Sequence, residues 1–236
     1  MEKLIHSARE LFNVHLIGRQ VLALGAYEKE LLEWNQKFNL TAIRDVDGIR
    51  TKHFLDSFSC VLAWNENPPA HLADVGTGAG FPGLVLKILY PAMRVTLVES
   101  VGKKVSFCKH MVEMLKLEGV EVLHARAEDV GQNPKYRQQF DWAVGRAVAK
   151  LPVLCEYLLP LVKVGGTMLA QKGESGLAEA ESASGAIKVL GGKLRQIIDV
   201  RLPEVPEPRT LVLVDKVAST PATYPRQAGT PSREAL

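Results

Sequence analysis

The sequence predicts an α/β fold, a mostly parallel β-sheet covered on both faces by helices. Three observations carry that prediction. From about residue 70 onward, short apolar runs alternate with longer stretches of helical period. A glycine-dense turn in "HLADVGTGAGFPG" (His71–Gly83) links the first such run to the helix after it. The 236 residues are 47% hydrophobic, enough for a sizeable core.

The elements follow in order. Residues 1 to about 65 read as helical. Val21, Leu24, Tyr27, Leu31, Trp34 and Phe38 recur at steps of three and four, which places them on one stripe. A further helix is expected from Ile49 to Trp64, and "NENPPA" stops it because proline lacks the amide donor. Beyond Pro69, "HLADV", "MRVTLVE", "VEVLHA", "FDWAVGRA" and "GGTMLAQKG" read as strands separated by helices. "GKLRQIIDVRL" and "RTLVLVDKV" have no helix between them, so an antiparallel pair is expected there. The tail, rich in Pro, Ser, Thr and Gly, reads as irregular. The expected organisation is a helical extension over 1–66, an α/β core over 67–218 and a tail over 219–236 packed near the functional site.

Composition narrows the function classes. No run approaches eighteen apolar residues, so no membrane partner is expected. The N-terminus carries early acids and no signal-like apolar segment, so the expected location is cytoplasmic. Cys60, Cys108 and Cys155 lack metal-ligand spacing and lie in apolar helical runs. They are read as packing residues, with no metal expected. The net charge of +3 permits a nucleic-acid partner without demanding one.

Two ligand classes compete for the glycine turn. Gly76, Gly78 and Gly80 make one spacing; Gly78, Gly80 and Gly83 resemble part of a dinucleotide fingerprint. If the strand ends near Val75, a nicotinamide site would want a small residue at position 81, where Phe81 stands. A wide loop around a compact ligand without a pyrophosphate is the preferred reading, beside a purely structural turn. Glu99 ends the next strand and could accept from two ribose hydroxyls, or could cap the following helix. Glu128 or Asp129 could receive an adenine amine, or could cap a short helix. Asp74 could orient an amino-acid moiety or hold the turn together. Arg146 ends the fourth strand at the same sheet edge. A nucleoside carrying something other than a second nucleotide fits this set, and S-adenosylmethionine is such a molecule.

The chain resembles the RsmG family, also called GidB. The resemblance rests on "KFNLTAI", "KHFLDS", "LADVGTGAGFPG", "LVES", "ARAED", "GRAVAKL", "KG" and "YPRQAGTP" in that order along nearly the whole chain. It implies a Rossmann-like, seven-stranded class I fold for S-adenosylmethionine-dependent methyltransferases, with an N-terminal helical extension. It implies methyl transfer to N7 of guanine 527 in the 530 loop of 16S ribosomal RNA, within the 30S ribosomal subunit, by a monomer. It also implies cofactor contacts from Gly76, Thr77, Gly78, Gly80, Glu99, Ala127, Glu128 and Arg146, with Asp74 and Phe81 in the same turn.

Guanine N7 holds a lone pair and no proton, so no general base is expected. Arg146 and Lys172 are expected to position the reactants. His53, Arg146, Lys172, Tyr224 and Arg226 are the RNA-facing candidates, the last two offering a stacking ring and a guanidinium. His53 and Asp56, three apart on a helix, could line the mouth of the site, and Asn39 could stand near it. Arg44, Arg50, Lys52, Lys103, Lys104, Lys109, Lys135 and Arg137 could add a phosphate-collecting rim. A cytosine-type mechanism lacks its thiolate at a strand end, and the Asn/Asp-Pro-Pro-aromatic motif of amine methylation is absent after the fourth strand. The competing readings are a methyltransferase of another RNA atom or a small molecule, a nicotinamide oxidoreductase, and a non-catalytic RNA-binding protein.

Overall fold

The computed structural model describes residues 1–64 and 67–236. The expected boundary at residue 66 lies outside the described residues. Two helices, α1 (Glu2–Phe12) and α2 (Gly18–Phe38), lead into one irregular helical run. That run comprises α3 (Val46–Ile49), a π-helical stretch Arg50–Leu55, α4 (Asp56–Phe58) and a 3-10 turn Ser59–Ala63. The alternating part follows as β1 (His71–Val75), α5 (Gly83–Leu89), β2 (Arg94–Glu99), α6 (Gly102–Met114) and β3 (Val120–His124). It continues through α7 (Ala127–Gln132), β4 (Phe140–Arg146), α8 (Leu151–Leu158), β5 (Val162–Lys172), α9 (Gly176–Ser182) and α10 (Ser184–Val189). The chain closes with β6 (Gly192–Val200), β7 (Arg209–Lys216) and α11 (Thr230–Arg233).

The seven strands stand in the order β3-β2-β1-β4-β5-β7-β6. The first five are parallel; β7 is antiparallel to both β5 and β6. The expected antiparallel pair is present, with β7 inserted between β5 and β6. The strand order reverses beside β1, where the carboxyl ends of β1 and β4 open a crevice.

Side chains alternate across β1 and sort the molecule into two faces. Leu72 joins the core beneath α1, α2, α5 and α6, together with Leu24, Leu31, Leu84 and Phe107. Ala73 and Val75 join the opposite core, with Leu151, Leu154 and Leu158 of α8. Of the α2 stripe, Leu24, Tyr27 and Leu31 are fully buried, while Phe38 at the helix end is 41% exposed. All three cysteines are buried.

The tail is tied down by a charge. Glu156 lies on α8 with no exposed surface. Its carboxylate accepts from the Arg226 amide at 2.7 Å and from Nη2 and Nε of the same arginine at 2.6 and 2.9 Å. Arg137 adds a second anchor, donating to the carbonyls of Tyr224 and Thr220 at 2.7 and 2.9 Å. Removing one partner of a buried pair leaves the other uncompensated. Glu156→Ala should therefore cost about 1–3 kcal/mol in chemical denaturation, since Arg226 is part-exposed, and expose residues 219–236 to protease. Glu156→Gln, which keeps an acceptor, should lose less.

Candidate active site

The glycine turn is held from below. Leu72 and Asp74 project to the α5 face of β1, so Asp74 lies under the start of α5. Its Oδ2 accepts from Thr77 Oγ1 at 2.6 Å and from the Gly83 amide at 2.7 Å. Burial raises the Asp74 carboxyl to about 6, opposed by those two bonds and by the Arg146 charge. Oδ1 is buried without a hydrogen-bond partner among the described residues. With no exposed surface, Asp74 serves the turn itself.

Two glycines have separate reasons. Gly76 adopts φ +68°, and a Cβ there would meet Val148 Cγ2 at 2.6 Å. Gly78 adopts φ +62°, yet a Cβ there would find nothing nearer than 4.0 Å. Backbone conformation alone requires glycine at position 78, and the space above it is open.

Glu99 ends β2 beside that space. Its Oε2 accepts from the Gly78 amide at 2.9 Å and its Oε1 from the Val101 amide at 2.8 Å. A carboxylate has about four acceptor positions, so two remain for a ligand. A cleft runs from Gly76 past Val98, Ser100 and Ala127 to Glu128 and Tyr157. The tail closes its far end: Glu128 Oε1 accepts from the Gly229 amide at 2.9 Å, and Tyr157 bonds Ser232 at 2.8 Å. Glu128 therefore has one oxygen committed to the tail.

Phe81 faces away from this cleft. Its ring lies between two others, parallel to Tyr27 at 5.3 Å and to His53 at 4.4 Å. Tyr27 also donates to the Ala79 carbonyl in the turn. The aromatic residue that argues against a dinucleotide fingerprint thus binds the turn to the N-terminal helices.

His53, Arg146 and Lys172 converge on a second cavity of about 360 Å³ at the same rim. Arg146 donates to Asp56 Oδ2 at 2.6 Å, to the Lys52 carbonyl at 3.1 Å and to His53 Nδ1 at 3.2 Å. Three of its five N–H groups are thereby engaged within the protein. Burial and the Arg146 charge lower His53 to about 3. The ring is neutral at physiological pH. Because Nδ1 accepts from Arg146, Nε2 carries the proton and donates to Thr41 Oγ1 at 2.9 Å. Lys172 donates to Glu179 Oε2 at 2.7 Å and to the Ala149 carbonyl at 2.9 Å. Ala147, on the loop between these cations, adopts φ +56°, a conformation that costs a non-glycine residue about 1–2 kcal/mol.

The other sequence candidates lie elsewhere. Tyr224 and Arg226 do not line the cavity; Arg226 is held by Glu156. Asn39 accepts from Arg44 at 3.0 Å at the end of α2. Arg50 is paired with Glu28, Lys135 with Glu121, and Arg137 with tail carbonyls. Sequence reasoning missed Arg209, which lines the cavity from the start of β7. A search for charges at strand ends passes over it. The expected antiparallel direction was the available signal, because it brings the start of β7 to the end of β5: Thr210 pairs with Lys172. Glu179, the partner of Lys172, gave no sequence signal.

A further cavity of about 440 Å³ lies at the opposite end of the strands between Phe12, Gln20 and Tyr90. It shares no residue with the glycine turn.

Comparison with known proteins agrees with this geometry. The family model described as "GidB: rRNA small subunit methyltransferase G" matches residues 20–205. A protein of Roseiflexus sp. strain RS-1 named ribosomal RNA small subunit methyltransferase G is 49% identical over 236 residues, covering 100% of both chains. A protein of the same name from Lactobacillus delbrueckii subsp. bulgaricus is 50% identical over 227 residues, covering 95% of each. Among solved structures, M. jannaschii TYW2 in complex with AdoMet superposes with a TM-score of 0.53 at 15% identity, over 66% of this chain and 73% of that one. That likeness concerns the fold alone. With a seven-stranded sheet of this order and full-length relatives at half identity, the chain belongs to the GidB family, the ribosomal RNA small subunit methyltransferases G.

Proposed function

We propose that the chain transfers the methyl group of S-adenosylmethionine to N7 of guanine 527 in the 530 loop of 16S ribosomal RNA. The observation that carries this reading is the convergence of His53, Arg146 and Lys172 on one cavity that adjoins the glycine turn through the stacking of His53 on Phe81. Residues 67–218 form the cofactor-binding core in this reading, with 1–66 as helical extension and 219–236 as a strap behind the cofactor. In this reading a monomer acts on the 30S subunit in the cytoplasm. Among the described residues, no helix is long and apolar enough to cross a membrane.

The residues present fit the cofactor. The open face over Gly78 gives room, and Glu99 keeps two acceptor positions for ribose hydroxyls. Ala127 and Glu128 border the cleft where an adenine would lie. When bound, S-adenosylmethionine supplies an electrophilic methyl carbon on a sulfonium. The chain's own task is alignment and exclusion of water. Guanine N7 has no proton to lose, and the site offers no group poised to take one. His53, lowered to about 3 and with both ring nitrogens engaged, is a poor proton acceptor, and Lys172 is held by Glu179. The two unengaged N–H groups of Arg146 suit the O6 edge of guanine.

Three outcomes test this reading. Labelled methyl donor incubated with undermethylated small subunits should mark guanine 527 alone, mapped by cleavage at 7-methylguanine; label on another nucleotide would overturn the substrate. Glu99→Ala should weaken cofactor binding about 10–100-fold by calorimetry, the loss of one or two charge-assisted hydrogen bonds. Unchanged affinity would remove Glu99 from the site. With His53 lowered to about 3, kcat should stay flat between about pH 6 and 8. An inflection near the ordinary histidine value would assign that ring a proton.

A further inference from the structure

We propose that Arg209 and Lys52 form a clamp for one RNA phosphate at the mouth of the 360 Å³ cavity. The proposal rests on the RNA reading above and adds a contact point to it. Four cations line the cavity, Lys52, Arg146, Lys172 and Arg209, against two carboxylates, Asp56 and Glu179. Two positive charges are left over.

Their locations are specific. Arg146 and Lys172 each hold a carboxylate at 2.6–2.7 Å. Arg209 does not. Its Nε stands 3.8 Å from Asp56 Oδ1, and its Nη1 reaches only the Glu207 carbonyl at 3.4 Å. Both lie beyond ordinary hydrogen-bond length. Asp56 is already engaged by Arg146 through its other oxygen. The Arg209 side chain is nevertheless only 25% exposed. It has given up most of its hydration without a close partner. Lys52 is exposed, and among the described residues its ammonium makes no ion pair, while its carbonyl serves Arg146.

The topology places this pair at the mouth of the cavity. Antiparallel pairing sets Thr210 opposite Lys172, so Arg209 lies one residue farther out at the rim. Lys52 adjoins His53 on the π-helical stretch that forms the facing wall. Arg146 and Lys172 thus sit beside the base-binding position, and the loosely paired Arg209 and the exposed Lys52 stand where an anion can neutralise them. A planar guanidinium with free donors matches a phosphate bidentately, and a mobile ammonium completes the charge. The anion nearest a guanine base within an RNA strand is its own or the adjoining phosphate.

Arg209→Gln and Lys52→Gln test the clamp, with methyl transfer to undermethylated small subunits measured across a salt series. Each should raise KM severalfold and reduce the log-log salt slope by about 0.7–1, and the double variant should reduce it by about twice that. Arg209→Lys should recover much of the slope. Cofactor affinity by calorimetry should stay at the parent value in all of them. Lys52 is exposed, so its variant reads the clamp even if Arg209→Gln folds poorly. Parent-like KM and slope in Lys52→Gln and in folded Arg209→Gln would overturn the clamp while the parent's transfer to RNA stands. No transfer by the parent would overturn the RNA reading and the clamp with it.

Discussion

A carboxylate with no solvent contact holds the site together. Asp74 bonds Thr77 and Gly83, the two ends of the turn that leaves β1 and enters α5. A turn with three positive-φ glycines has many open conformations, and fixing it is entropically costly. Two short charge-assisted bonds from a rigid central strand select one of them. The glycines allow the path, and Asp74 chooses it. Its elevated carboxyl value reflects the cost of keeping the group buried.

From that turn, order passes outward through Phe81. The ring is stacked on both sides, by Tyr27 from α2 and by His53 from the π-helical stretch. His53 then accepts from Arg146. The glycine turn and Arg146 are therefore linked through contiguous, closely packed groups. The N-terminal helices are part of the site in this sense. They supply the ring beneath the turn and the carboxylate, Asp56, that aims Arg146.

The tail plays the equivalent part at the other end of the cleft. Glu156 and Arg137 fix it, and its backbone then reaches Glu128 while Ser232 reaches Tyr157. Arg226 has the composition of an RNA-binding residue and the contacts of a structural anchor. A guanidinium next to a fully buried carboxylate has little freedom to do anything else.

The sheet, its helical cover and the antiparallel end were legible in the sequence because they rest on local periodicity, which needs no partner to be read. The glycine turn, Glu99 and Arg146 were legible for a related reason: parallel topology brings every strand's carboxyl end to one rim, so position within an element gives position in space. Tertiary structure alone decided which charges remain available. Arg146 meets Asp56 across ninety residues of chain, Arg226 meets Glu156 across seventy, and Arg209 keeps only a 3.8 Å approach to an Asp56 that Arg146 already holds. Ion pairing depends on approach within a few ångströms and on burial, and no spacing along the chain encodes either.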